Sequence, residues 1–190
     1  MAANPKRALE RMLGLWARGC PDPKTTDTGP EAEAAREMIT SLINDGLGWL
    51  SWRKKVAGVE RVFTRYAGDG NFSYCGAGLA WAYADSVALP LRRKFFASTI
   101  RLAGRGPHGP LPPGVLQRLE YRDARPGDIG IIGRAIPAGD HITMLVAPSP
   151  GSCMDVSCNG EGKFSDGSWG EGVVIRVRQP SEYTHVYRLL

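Results

Sequence analysis

Residues 72–85 read FSYCGAGLAWAYAD and set one thiol, Cys75, where a polar Ser73 gives way to small and apolar residues. With Ser73 as cap, the stretch predicts a helix over about 74–88, stopped by Pro90, with Leu79, Tyr83 and Val87 as its buried stripe. Cys75 then falls in the first turn, where backbone N–H groups lack intrahelical partners and the helix dipole presents partial positive charge. That setting favours a thiolate and offers donors to an oxyanion. The competing reading of Cys75 is a small buried hydrophobe. Gly76 and Gly78 each cost about 1 kcal/mol relative to Ala in a helix interior, so either substrate or sheet is expected to approach closely there.

Upstream, Leu9, Met12, Leu13 and Trp16 recur at helical spacing within 5–18. A linker, CPDPKTTDTGP (20–30), separates this helix from a second over 31–44, with Met38, Ile39, Leu42 and Ile43 on its apolar face and Gly46 and Gly48 at its end. Residues 49–67 carry Trp49, Trp52, Val56, Val59, Val62, Phe63 and Tyr66 at roughly helical spacing, and GDGN (68–71) closes them as a turn. Downstream, GRGPHGPLPPG (104–114) reads as a loop. Short β-type runs follow at 128–132 (DIGII), 141–147 (HITMLVA), 153–157 (CMDVS), 173–177 (VVIRV) and 184–189 (THVYRL). Helices first and strands afterwards, without βαβ alternation, predict an α+β fold with an antiparallel sheet. The division expected is an N-terminal helical segment over 1–58, packed on and completing the core of a main domain over 59–190. The other reading makes the first segment a docking helical element; Trp49 and Trp52 are expected to pack inside.

A chain of 190 residues, 43% hydrophobic, buries one full core. The 24 Lys and Arg against 19 Asp and Glu give +5. These residues are scattered apart from Arg53-Lys54-Lys55 and Arg92-Arg93-Lys94, so they read as a solvated surface, weakly attractive to anions, and no nucleic-acid partner is expected. No apolar run approaches the roughly 20 residues of a membrane helix. The charged start MAANPKRALERMLGLWARGC lacks the core of a secretory signal, so a soluble chain without an export address is expected, with its compartment open. The four cysteines, Cys20, Cys75, Cys153 and Cys158, include no C-x-x-C pair; a Cys153–Cys158 disulfide stays open, and zinc on Cys153, Cys158 and His141 is disfavoured by the spacing. No nucleotide-binding glycine loop stands between a strand and a helix, and neither cofactor nor metal is expected.

A nucleophilic cysteine needs a base and a group that orients it. Of three histidines, His108 lies in the Gly/Pro loop and His185 alternates within the last strand as a half-buried residue. His141 opens the most apolar strand after a Gly139-Asp140 turn, and the next run ends at Cys158-Asn159-Gly160. An antiparallel pairing of the two would bring Asn159 beside His141, holding one ring nitrogen while the other faces Cys75.

The order YCGAGLAWAYAD, RPGDIGII, GDHITMLV, MDVSCNG, GVVIRVR and YRLL resembles the CHAP and NlpC/P60 group of papain-like cysteine hydrolases, in particular small bacterial and phage members. The resemblance covers about 60–190 and rests on the order and spacing of motifs that are each weak alone. It implies a papain-like core in which the catalytic helix packs on an antiparallel sheet. It implies Cys75 as nucleophile, His141 as general base and acid, Asn159 as the orienting residue, and Ser73, Tyr74 and Gly76 around the oxyanion and substrate. Peptidoglycan is the implied substrate, cut in the stem peptide, the cross-bridge or the stem–sugar amide by a monomeric enzyme of endolysin type. Departures are Ser157, where many members carry Glu, leaving that role vacant or to Asp155 or Glu161, and Thr143 in place of a usual Gly. The rival readings are a toxin-type acyltransferase or deamidase acting on a protein, and an inactive wall- or virion-bound structural protein.

Overall fold

In a computed structural model of the chain, which describes residues 3–22, 27–47, 51–56, 59–64, 75–88, 91–92, 114–133 and 141–190, the first helix opens at Asn4. The Asn4 side-chain oxygen accepts from the Arg7 N–H at 3.0 Å, and Pro5 brings its fixed φ to the first helical position of α1 (Pro5–Ala17). Ala8, Met12 and Leu15 are its buried face, with Leu9 and Trp16 packed at the margin, so the stripe is turned slightly from Leu9, Met12, Leu13 and Trp16. Gly19, at φ 68, ends it with an N–H bond to Trp16 O.

The second helix, α2 (Pro30–Leu47), buries Ala35, Ile39, Leu42 and Ile43 and runs through Gly46, which was expected to stop it. Gly46 is there for packing. A Cβ at this position would stand 2.6 Å from Ala77 O and 2.8 Å from Trp81 N, so the missing side chain lets α2 lie directly on the next helix, α3 (Cys75–Ala82). Residues 49–67 are a second departure: β1 (Ser51–Val56) and β2 (Val59–Thr64) pair as an antiparallel hairpin, not a helix. Val56, Val59, Val62 and Thr64 are β-branched and Trp52 and Phe63 aromatic, a composition that suits strands better than the apolar spacing suits a helix. The boundary placed at residue 58 falls between these two strands. The expected GDGN turn and most of the Gly/Pro loop with His108 lie outside the described residues.

The third helix is shorter than expected and continues as turns through Val87. Every residue of Cys75–Ala82 except Trp81 is buried. At Gly78 a Cβ would run into Cys158 Sγ and come 2.9 Å from Cys158 Cβ, so the sheet is what approaches the helix here. Tyr83 Oη donates to Gly127 O at 2.8 Å beyond the far end of α3, and burial followed by the Asp128 charge raises the phenol's pKa. Arg92 Nη1 donates to Asp45 O, Gly46 O and Ala80 O, so one guanidinium serves the C-terminal carbonyls of both helices.

Six strands follow: β3 (Leu116–Leu119), β4 (Ile129–Ile132), β5 (His141–Pro148), β6 (Cys153–Lys163), β7 (Trp169–Arg178) and β8 (Tyr183–Leu189). They form one antiparallel sheet in the order β3-β8-β4-β5-β6-β7. The molecule is therefore α+β, with three α-helices among the described residues. The RPGD run is a turn in which Gly127 has φ 89, Asp128 N donates to Arg125 O, and Pro126 takes the preceding corner, the residue pattern of a type II turn. Asp128 is 2% exposed and accepts from Arg125 N at 2.8 Å and from Arg188 Nε and Nη2 at 2.9 and 2.6 Å. One carboxylate thus ties the turn to β8.

The sheet curls. β7 and β8 are four places apart in the order, ~19 Å across a flat sheet at the usual strand spacing, yet only residues 179–182 join them, and 180–182 are wound into a 3-10 turn. The ends meet at Asp155, whose Oδ2 accepts from Arg178 Nε of β7 at 2.8 Å and from Tyr183 Oη of β8 at 2.6 Å. Both faces are consequently buried. On the helix side, Ile129, Ile142, Met144, Val156 and Cys158 share one core with Met12, Ile39, Cys75 and Leu79. On the inner side of the curl, Leu145, Cys153, Tyr183 and Val186 form a smaller one. No described helix is long and apolar enough to cross a membrane.

Candidate active site

Cys75 is the first residue of α3 and 3% exposed. The N–H groups of the first turn have no carbonyl of their own helix to donate to. Gly78, one turn on, rests on Cys158, and Tyr83 reaches Gly127, so α3 begins over the Cys158 end of β6 and finishes towards the start of β4. Gly76 is buried within the helix, while Ser73 and Tyr74 lie outside the described residues.

His141 stands at the start of β5, at the same end of the sheet. Side chains of a strand alternate between faces, and Ile142 and Met144 belong to the helix-side core that contains Cys75, so His141 and Thr143 point the other way, with Leu145. The contacts of the ring agree: a Cβ on Gly160 would stand 2.5 Å from Ser157 Oγ and 3.1 Å from His141 Nε2, and Ser157 alternates with the helix-facing Cys158. The sheet itself separates the imidazole from the Cys75 thiol. Burial, then the charges of Arg178 and Arg176, lowers the His141 pKa to about 4, which keeps the ring neutral at pH 7. Among the described residues its Nε2 is buried without a hydrogen-bond partner, as is Ser157 Oγ on the same face.

β5 and β6 are antiparallel neighbours, and the register of Met144 with Val156, continued three residues, sets position 141 across from 159. The Asn159 side chain is nevertheless engaged elsewhere. The pairing of β6 with β7 shifts between Ser157 and Gly160, Asn159 takes φ 54, and its Nδ2 donates to Asp22 Oδ2 at 2.9 Å. Asp22 belongs to a short segment laid along the edge of β7: Pro21 bridges Gly172, Asp22 N donates to Glu171 O, and Cys20 O accepts from Val173 N. Gly172 is required at that crossing, since a Cβ would strike Cys20 O.

The structure therefore groups Cys75 with Cys158 and Cys20 on the helix side and His141 with Ser157 and Thr143 on the other. Cys158 is raised well above the ordinary thiol range by burial first, then by Cys20, Cys75 and Asp22. Cys20 is pushed up to about 12, mainly by burial. None of the four cysteines is in a disulfide. Cys153 and Cys158, five residues apart on one strand, point to opposite faces and cannot bridge. Among the described residues no group of three or more His, Cys, Asp or Glu could hold a metal.

Neither carboxylate considered as a stand-in for the missing Glu bonds to His141. Asp155 is taken by Arg178 and Tyr183, and burial raises its pKa against the lowering pull of Arg178. Glu161 binds Trp169. Asp22 could not be found from sequence, because nothing in a Pro/Thr/Asp linker singles out one residue. Asp155 did carry a signal: it sits in phase with Cys153 on a buried strand. His185 is half-buried and stacks on Tyr187, ring centres 5.9 Å apart. Compared with protein-family models, curated proteins and solved structures, the chain matches none.

Proposed function

We propose that the chain is a cysteine hydrolase of the papain-like type, with Cys75 as nucleophile and the amide bonds of peptidoglycan as substrate. The observation that carries the reading is the place of Cys75 as the first residue of a helix of small residues packed on a curled antiparallel sheet. The motif order of the sequence supports it independently. In this reaction the Cys75 sulfur attacks the amide carbonyl, first-turn N–H groups hold the oxyanion, and a base passes the thiol proton to the leaving amine. Water then cleaves the thioester. His141 can serve as that base only from the helix side, where a one-residue change in the register of β5 would turn it.

The placement of His141 across the sheet from Cys75 favours a second reading, a wall- or virion-bound protein that keeps this fold without the chemistry. Purified muropeptides incubated with wild type, Cys75→Ala and His141→Ala, followed by mass spectrometry, separate the two. The hydrolase reading expects cleavage by wild type and none by Cys75→Ala. Full activity of Cys75→Ala ends it, and an intact wild-type fold that cleaves nothing leaves the second reading.

A further inference from the structure

The distal part of the β6–β7 hairpin carries an aromatic side chain with no place in either core. Trp169 is 55% exposed. A single exposed ring means little by itself, but this one is held on two sides. Its Nε1–H donates to Glu161 Oε1 at 3.1 Å, and the Arg176 guanidinium lies over the ring, 5.8 Å from its centroid. Arg176 is in turn 3.9 Å from Glu161 Oε2. These two contacts orient the ring, with its indole N–H satisfied and more than half of the residue still exposed.

We propose that Trp169, Glu161 and Arg176 form a saccharide-binding platform. A pyranose presents an apolar C–H face, which suits the flat indole, and a rim of hydroxyls that both donate and accept. Glu161 supplies acceptors at the ring edge and Arg176 supplies planar donors. The charges around the platform select against the obvious competitor for a stacking ring, a nucleic acid. Glu171 pairs across from Glu161, and Lys163 across from Trp169, so the patch holds two acids and two bases and lacks the excess of cations a phosphate backbone requires.

The proposal deepens the hydrolase reading and rests on it only for the choice of polymer, since it names where the glycan part of the substrate is held. Binding is measured without turnover, so either can fail alone. The test is a titration of the 15N-labelled wild-type chain with an N-acetylglucosamine tetramer, following the Trp169 indole N–H signal, assigned by its disappearance in Trp169→Phe. The expected result is a saturable shift of that signal, with affinity reduced about tenfold in Arg176→Ala or Glu161→Gln. A Trp169 signal unmoved at millimolar sugar overturns the proposal, as does wild-type affinity in both variants. A short oligothymidylate in a second arm is expected to leave the signal in place at physiological salt; stacking of the oligonucleotide and not the sugar also overturns it.

Discussion

At the scale of single residues, the inner face of the sheet holds the groups with most at stake. Asp155 is fully buried and its charge is held by Arg178 and Tyr183. Arg178→Met leaves that carboxylate without its cation and is expected to cost about 3–5 kcal/mol in urea unfolding, whereas Tyr183→Phe removes one hydrogen bond and costs about 1–2 kcal/mol. His141 gives a pH signature. The unfolded ring takes its proton near 6.5 and the folded ring only near 4. The unfolded state thus binds more protons between these values, stability falls as pH drops from 6.5 towards 4, and the loss is complete below 4. A ring held neutral by burial from 6.5 down to about 4 makes that loss about 3 kcal/mol. His141→Gln should show a correspondingly smaller loss of unfolding free energy between pH 7 and pH 4; an unchanged pH dependence would remove His141 as its source.

Among the elements, α3 is held by close approach. Gly78→Ala improves helix propensity by about 1 kcal/mol, yet its Cβ collides with Cys158, so the variant should be destabilised by about 1–3 kcal/mol. Part of that loss should return when Cys158→Ala removes the sulfur; a stabilised Gly78→Ala would show that the contact is loose. The RPGD turn makes a similar claim. Asp128→Ala removes a nearly buried carboxylate with its three hydrogen bonds and leaves Arg188 only the Asp123 carbonyl, and its thermal midpoint should fall by several degrees. Glycine is where sequence reasoning divides. At 76–78 the small residues announced a close approach, and the sheet supplies it at Gly78. At 46 the same residue type read as a stop, because the neighbour that needs the space, α3, is distant in sequence. The hairpin at 51–64 was read as a helix because apolar spacing near 3.6 outweighed its β-branched residues, and β3 was too short and too polar to stand out.

At the scale of the whole molecule, the order of helices and then strands was legible because periodicity is local. The curl was not, because it depends on a four-residue link between strands that the order alone leaves far apart. The same limit applies to the candidate site. Types of residue and their order pick out Cys75, His141 and Asn159, and antiparallel pairing of β5 with β6 follows from adjacency. Which face each side chain takes depends on register, and a single step reverses it. Asn159 shows the effect: its positive φ and the neighbouring bulge turn it to Asp22, a partner 137 residues away. The N-terminal helix belongs to this same core through Ala8, Met12 and Leu15. Removing residues 1–18 is expected to abolish cooperative unfolding, and a truncated chain that unfolds as sharply as the full one would contradict that integration. The most direct test of the central claim is the alkylation rate of Cys75 against pH, read by mass spectrometry with Cys20, Cys153 and Cys158 of the same molecule as controls. A hydrolase built on Cys75 predicts that this thiol reacts selectively and at lower pH than the other three. A Cys75 as slow as its buried neighbours contradicts the account and makes the start of α3 a packing contact.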